Sequence, residues 1–375
     1  MPELMLPLEG GLASCRIERA CPYRPPTKPL ASRIAYAAAH VVPNVGGIDW
    51  DATLAYRRYL WSYGLGVAEA MDTAQRGMGL SWNTARELIA RSLADAQATG
   101  ALIACGAGTD QLPEDQPARI DEIIAAYEEQ CEWIESRGGR VILMASRALA
   151  RAAASADDYV DVYSRILSQL RRPAILHWLG DMFDPKLAGY WGSTDLDRAM
   201  DTCLGLIHDH ATRLDGIKIS QLDAQREIDM RRKLPAGVRM YTGDDFNYDV
   251  LILGDGRHYS DALLGIFDAI APAASAAIQA LDAGRVGEFE SILAPTIPLS
   301  RLIFEAPTYL YKTGIVFLAW LNGHQERFQM VGGMETARDI EHLSKLLVLA
   351  ERAGVLQDPE LACARMQTLL TGVSV

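Results

Sequence analysis

The sequence is short of several things that would assign it to a familiar class at once. Its six cysteines, Cys15, Cys21, Cys105, Cys131, Cys203 and Cys363, form no CxxC pair and stand in no zinc-like spacing with histidine. That excludes a disulfide scaffold or a zinc module as the organising principle, and the cysteines read as reduced, mostly buried thiols. No cluster of Lys and Arg accompanies the formal net charge of −12, so a nucleic-acid surface is not expected. The longest apolar runs, such as Thr313–Leu321, fall far short of the roughly 20 residues that a membrane span needs. The opening residues do not read as a signal peptide, and neither an internal repeat nor a low-complexity tract interrupts the chain. A cytoplasmic protein with no membrane partner is the expectation.

What is present is the text of a large packed core. Hydrophobic residues make up 49% of the 375 and charged residues 22%, a balance typical of globular enzymes. Residues 1–31 are dense in proline (Pro22, Pro25, Pro26, Pro29), and proline removes ladder donors. An irregular N-terminal arm is therefore expected there. From residue 32 a rhythm begins in which short β-prone runs alternate with longer helical stretches, the pattern of parallel strands with helical crossovers. The strand candidates are 33–42, 66–72, 101–106, 140–145, 174–179, 216–220, 239–242 and 262–267. Eight such units favour an α/β fold of the (β/α)8 TIM-barrel type over residues 32–272, with an open doubly wound sheet as the alternative. Residues 273–375 read as almost pure helix, a C-terminal helical extension.

In such a barrel the chemistry lies at the C-terminal ends of the strands. The polar residues there are His40, Glu69, Asp72, Thr73, Thr109, Asp110, Ser146, Arg147, His177, Lys218, Ser220, Asp244 and Asp245. Lys218 stands out. It lies in Gly216-Ile217-Lys218-Ile219-Ser220, whose alternation turns the two isoleucines to one face and Gly216, Lys218 and Ser220 to the other. A lysine inside an apolar strand is either paired, with Asp244 or Glu69 in reach, or functional, its amine made nucleophilic by desolvation. Glu69, inside an apolar run with the parity of Thr73, should likewise be paired, with His40, His177 or Lys218.

These residues are similar to those of the dihydrodipicolinate synthase and N-acetylneuraminate lyase superfamily of class I aldolase barrels. Gly216-Ile217-Lys218 followed by Gly243-Asp244-Asp245 resembles the family's Schiff-base strand and the turn after it. Pro173-Ala174-Ile175-Leu176-His177 resembles its fifth strand, Ile103–Gly108 its third, Ile270-Ala271-Pro272 the end of its eighth, and Tyr311-Lys312-Thr313-Gly314 a lysine-containing C-terminal helix. The likeness runs through residues 32–350. It implies a lyase or aldolase with Lys218 as the imine-forming residue, without a cofactor, on a small carbonyl substrate such as a keto acid or keto sugar, in a homo-oligomer of two or four copies.

The same resemblance implies roles residue by residue. Thr73 survives from the family's Gly-Thr-Thr-Gly-Glu, which here reads Asp72-Thr73-Ala74-Gln75-Arg76, so Asp72 and Ala74 stand where a substrate carboxylate would be held. His177 replaces the fifth-strand tyrosine and takes the proton-shuttle position. Arg147-Ala148-Leu149 replaces the Pro-Tyr-Tyr after the fourth strand, which makes Arg147 a candidate carboxylate anchor. Asp244 and Asp245 are candidates for substrate hydroxyls, or for an Asx turn and cap; Gly243, His40 and Ser220 complete the expected substrate site. These departures mark a divergent branch. Two alternatives remain open at this point: a metal-assisted sugar isomerase or epimerase using Glu69, Asp72, His40, His177 and Asp244, and a carbonyl-binding homologue without turnover.

Overall fold

A computed structural model describes residues 3–372. Eight parallel strands close into a barrel: β1 (Ala35–Ala38), β2 (Gly66–Glu69), β3 (Ile103–Ala107), β4 (Val141–Leu143), β5 (Ala174–Leu179), β6 (Leu214–Ser220), β7 (Arg239–Thr242) and β8 (Asp261–Leu264). Each strand pairs with the next in sequence, and the ring shuts where Ala262 of β8 registers with Ala35 of β1. All eight expected runs are barrel strands, most shorter than their apolar stretches; the open sheet is excluded by this closure.

Period-two alternation explains the ring. On β6, Ile217 and Ile219 join the core between strands and helices, and Gly216, Lys218 and Ser220 take the opposite face. The interior is filled by Tyr36, Ala38, Ala68, Ala104, Ile142, Ile175, Tyr241 and Leu263. Two glycines make room for its tyrosines. A Cβ at Gly66 would lie 2.7 Å from the Tyr36 ring, and one at Gly216 would lie 2.7 Å from that of Tyr241. The crossover helices begin and end on ordinary signals: Trp82–Thr99 starts at Ser81, whose side chain accepts from the Thr84 amide, and stops at Gly100 in the left-handed conformation.

The N-terminal arm departs from the irregular course expected of it. Glu3–Leu8 and Gly11–Arg16 form an antiparallel hairpin, turned by Gly10 and Gly11 at φ of 94° and 124°. The alternation Leu4, Leu6 lays one face of this hairpin on the helix Ile340–Ala353. Only the segment carrying the prolines runs without regular structure.

After β8 the chain is helical: Ala271–Asp282, Val286–Leu293, Thr296–Ile303, Tyr311–Leu321, Ile340–Ala353 and Pro359–Leu370. The helix that starts at Thr296 stops at Ile303, and a new one begins at Tyr311 beyond Pro307. This region shares its core with the barrel, since Phe317, Trp320 and Leu346 pack in one cluster with Val67 and Leu264. Its helix Tyr311–Leu321 is buried along its whole length. Among the described residues no helix is long and apolar enough to cross a membrane.

Candidate active site

β6 and β5 are neighbours in register, with Lys218 opposite His177 and Ser220 opposite Leu179. The two candidate side chains therefore stand side by side, about 5 Å apart at the backbone. Lys218 is 7% exposed. Its stem lies against the backbone of Gly243, where a Cβ would come within 2.7 Å of the lysine Cε and 2.2 Å of the Ser220 Oγ. Glycine at 243 is thus required by the close approach of Lys218 and Ser220.

Among the described residues, Lys218 forms no ion pair, in contrast to the other buried cations nearby. Burial lowers its pKa from the ordinary lysine value, and the carboxylates of Asp245 and Asp72 pull in the opposite direction. Asp245 is fully enclosed. Burial raises its pKa, opposed by the hydrogen bond from the Ile266 amide (2.8 Å) and by the Lys218 charge. His177 sits with Nε2 3.3 Å from the Ser220 Oγ. Burial first, and then the Lys218 charge, hold its imidazole well below the usual histidine range.

The opposite wall is built by β2 and by the C-terminal region. Thr73 Oγ1 lies 2.9 Å from the Tyr311 hydroxyl, which donates to Asp72 Oδ2 at 2.9 Å. The same Asp72 oxygen pairs with Lys312 Nζ at 2.9 Å. Burial and then Asp72 push the Tyr311 phenol well above its ordinary value. Lys218, His177, Ser220, Asp245, Thr73 and Tyr311 all border one inner pocket of about 10 Å3, with Phe183 closing it from the loop after β5. Asp72, His177 and Leu179 also border a second cavity of about 420 Å3 over the ends of β3 to β5.

Six of the expected residues thus converge: Lys218, His177, Thr73, Asp72, Ser220 and Asp245. Gly243 backs them. Others do not. His40 is drawn away by Asp268, which binds its ring Nδ1 at 2.9 Å and its backbone amide at 2.7 Å, with the Tyr56 hydroxyl on the same carboxylate. Glu69 pairs with Arg57 at 2.8 Å, both fully buried, on the helix side of β2. Its parity with Thr73 misleads because Ala70 takes φ of 54° and breaks the alternation between them. Asp244 forms the Asx turn: its carboxylate accepts from the amides of Phe246 and Asn247 and from the Asn247 side chain. Ala74 is buried in a 3-10 turn outside both cavities. Arg147 lines only the larger cavity, and Asp184 and Glu114 hold it, each at 2.5 Å.

Of the five residues considered as metal ligands, Asp72 and His177 border the inner pocket while His40, Glu69 and Asp244 are held elsewhere, and among the described residues no three His, Cys, Asp or Glu side chains converge on one point. Tyr311 and Phe183 went unrecognised in the sequence. The Tyr311-Lys312-Thr313-Gly314 stretch was the available signal, read for its lysine when the tyrosine is what reaches the pocket.

A closed parallel barrel of eight strands with helices around it defines the class: a (β/α)8 barrel with the architecture of the dihydrodipicolinate synthase family. The chain belongs to the family described as "Protein of unknown function (DUF993)", which matches residues 4–375. Among solved structures, it is similar to a prophage protein of the dihydrodipicolinic acid synthase family from E. coli K12 in complex with pyruvate, at 13% identity and a TM-score of 0.67 over 86% of this chain and 99% of that one. Dihydrodipicolinate synthase from Aquifex aeolicus aligns at 12% identity and a TM-score of 0.66, over 86% and 99% of the two chains. The 4-hydroxy-tetrahydrodipicolinate synthase from Methylacidiphilum fumariolicum SolV aligns at 17% identity and 0.64, over 90% and 99%. No curated protein sequence matches. At these identities the likeness establishes the fold.

Proposed function

We propose that the protein is a class I lyase or aldolase that works through an imine on Lys218. The observation that carries this is an enclosed lysine with no carboxylate ion pair, facing a pocket on the catalytic end of the barrel. Desolvation keeps part of the amine neutral near physiological pH, which is what nucleophilic attack on a carbonyl needs. The lone pair adds to the carbonyl carbon, the carbonyl oxygen takes up two protons and leaves as water, and a cationic C=N bond remains. That cation accepts the electron pair of a bond to the neighbouring carbon, so a C–C bond there can break, or a proton can leave that carbon and the resulting enamine can expel a hydroxyl from the next one.

The surroundings suit both ends of this sequence. Asp245 and Asp72 favour positive charge at the Lys218 nitrogen. For proton movement, Thr73 and the Tyr311 hydroxyl form a hydrogen-bonded pair ending on Asp72. His177, held neutral, offers a ring nitrogen beside Ser220. The resemblance to the family points to keto acids and keto sugars as substrates, and to assembly as a dimer or tetramer.

The test is exchange of carbonyl oxygen. In 18O-labelled water, forming and hydrolysing the imine replaces the carbonyl oxygen with solvent oxygen. With a panel of keto acids, keto sugars and simple ketones, the wild-type protein is expected to catalyse exchange on at least one, and Lys218→Met on none. Exchange that persists in Lys218→Met would refute the role of this lysine. Turnover abolished by a chelator, without exchange, would favour the metal-assisted isomerase.

A further inference from the structure

The inner pocket, about 10 Å3, holds no more than one water-sized group. Any carbonyl compound joined to Lys218 must therefore extend out of it. Asp72, His177 and Leu179 border both spaces, so the boundary they share is the neck through which a ligand on Lys218 would reach into the cavity of about 420 Å3. A space of that size suits the body of an organic ligand well beyond three or four carbons.

The walls describe that body. Leu112, Pro113, Met144, Ala148, Leu179 and Leu187 supply much of the lining. The charges around it are already matched within the chain: Arg76 with Asp110, Arg147 with Asp184 and Glu114, and Lys186 with Glu114. The other lining cation, Arg151, is exposed and donates to the carbonyl oxygens of Glu114 and Gln116.

Beside the reacting carbon the neighbouring acidic and basic groups are already engaged. Asp72 stands in the neck and Asp245 borders the inner pocket, while Lys312 is bound to Asp72. The amides of Ala74 and Gln75 are bonded to the carbonyls of Met71 and Asp72, at 3.1 and 2.8 Å. A carboxylate on the carbonyl carbon would find Lys312 already paired with Asp72 and neither of those amides free.

We infer that the substrate is an uncharged aldehyde or ketone with an extended, largely apolar body, which lies in the 420 Å3 cavity while its carbonyl passes the neck to Lys218. The inference rests on the imine reading of Lys218. It sets aside the keto acids and keto sugars that the family resemblance suggests.

The test compares three probes, each incubated with the intact protein and borohydride, which delivers hydride to the C=N carbon and fixes the imine as an amine. The probes are 4-phenylbutan-2-one, acetone and pyruvate, and the readout is the concentration giving half-labelling by intact mass. Burial of the phenylethyl group should make the aryl ketone effective at about tenfold lower concentration than acetone or pyruvate. Ala148→Trp and Leu112→Trp, which narrow the cavity, should remove that advantage. A wild-type protein that labels as readily with pyruvate or acetone as with the aryl ketone overturns the inference, whatever the variants do. Labelling by none of the three, aldehydes included when added as a fourth probe, overturns the imine reading itself.

Discussion

Two lysines are enclosed in this protein a short way apart, and they are placed in opposite ways. Lys312, on the helix Tyr311–Leu321, is wholly buried, with Asp72 at 2.9 Å, the Tyr309 carbonyl at 3.2 Å and the Tyr311 ring 4.6 Å from its charge. Lys218, on the sixth barrel strand, has a glycine backbone along its stem, a neutral histidine beside it and no ion pair. A buried ammonium with a full set of partners acts as a structural charge, here fixing Asp72 and through it Tyr311. One without them has a lowered affinity for its proton, which is the property the proposed nucleophile needs. Burial alone would not have told the two apart; the partners do.

The comparison can be broken most severely at Lys218. Lys218→Met should reduce carbonyl turnover by about 10³-fold or more, the scale seen when a covalent nucleophile is removed. The same variant should be the more stable protein near neutral pH. Burial lowers this lysine in the folded chain, so the unfolded chain binds more protons between the folded value and about 10.4. By linkage, wild-type stability rises with pH across that window, and the gain in melting temperature should shrink as pH approaches 10. A variant that melts lower than wild type at pH 6 would show the lysine to be structural.

At Lys312 the signs reverse. Asp72→Ala leaves an enclosed ammonium without its carboxylate and should cost about 3–5 kcal/mol in denaturant unfolding. Adding Lys312→Met to it should recover much of that loss, a coupling read by the double-mutant cycle. Tyr311→Phe should slow turnover by about 10²-fold while imine trapping continues, because it removes a proton carrier and not the nucleophile. The smallest effect concerns His177. Since burial keeps it neutral, the rate profile of the wild type should show no limb near 6.5 that His177→Gln removes. Such a limb, lost in the variant, would make His177 a titrating acid-base group.

Much of the barrel was legible because each strand is a short apolar run that the helices bury from outside, as with Ile217 and Ile219. Lys218 was legible for the same reason, as a charge where the pattern allows none. The failures have local or long-range causes. Glu69 was put on the wrong face because one residue, Ala70, turns left-handed and resets the alternation. The N-terminal hairpin was hidden by the prolines that follow it, although Leu4 and Leu6 alternate ahead of Gly10-Gly11. Tyr311 reaches Thr73 and Asp72 across more than two hundred residues of chain, and no period in the sequence encodes such a meeting. His40 was diverted by Asp268 in the same way.

The central claim, that Lys218 and not Lys312 is the imine-forming residue, is tested most directly by locating the adduct. After incubation with a panel of aldehydes and ketones and reduction by borohydride, proteolysis and mass mapping should place the added mass on the peptide containing Lys218, and Lys218→Met should carry none. An adduct on Lys312, or on surface lysines to the same extent in wild type and Lys218→Met, would contradict the account.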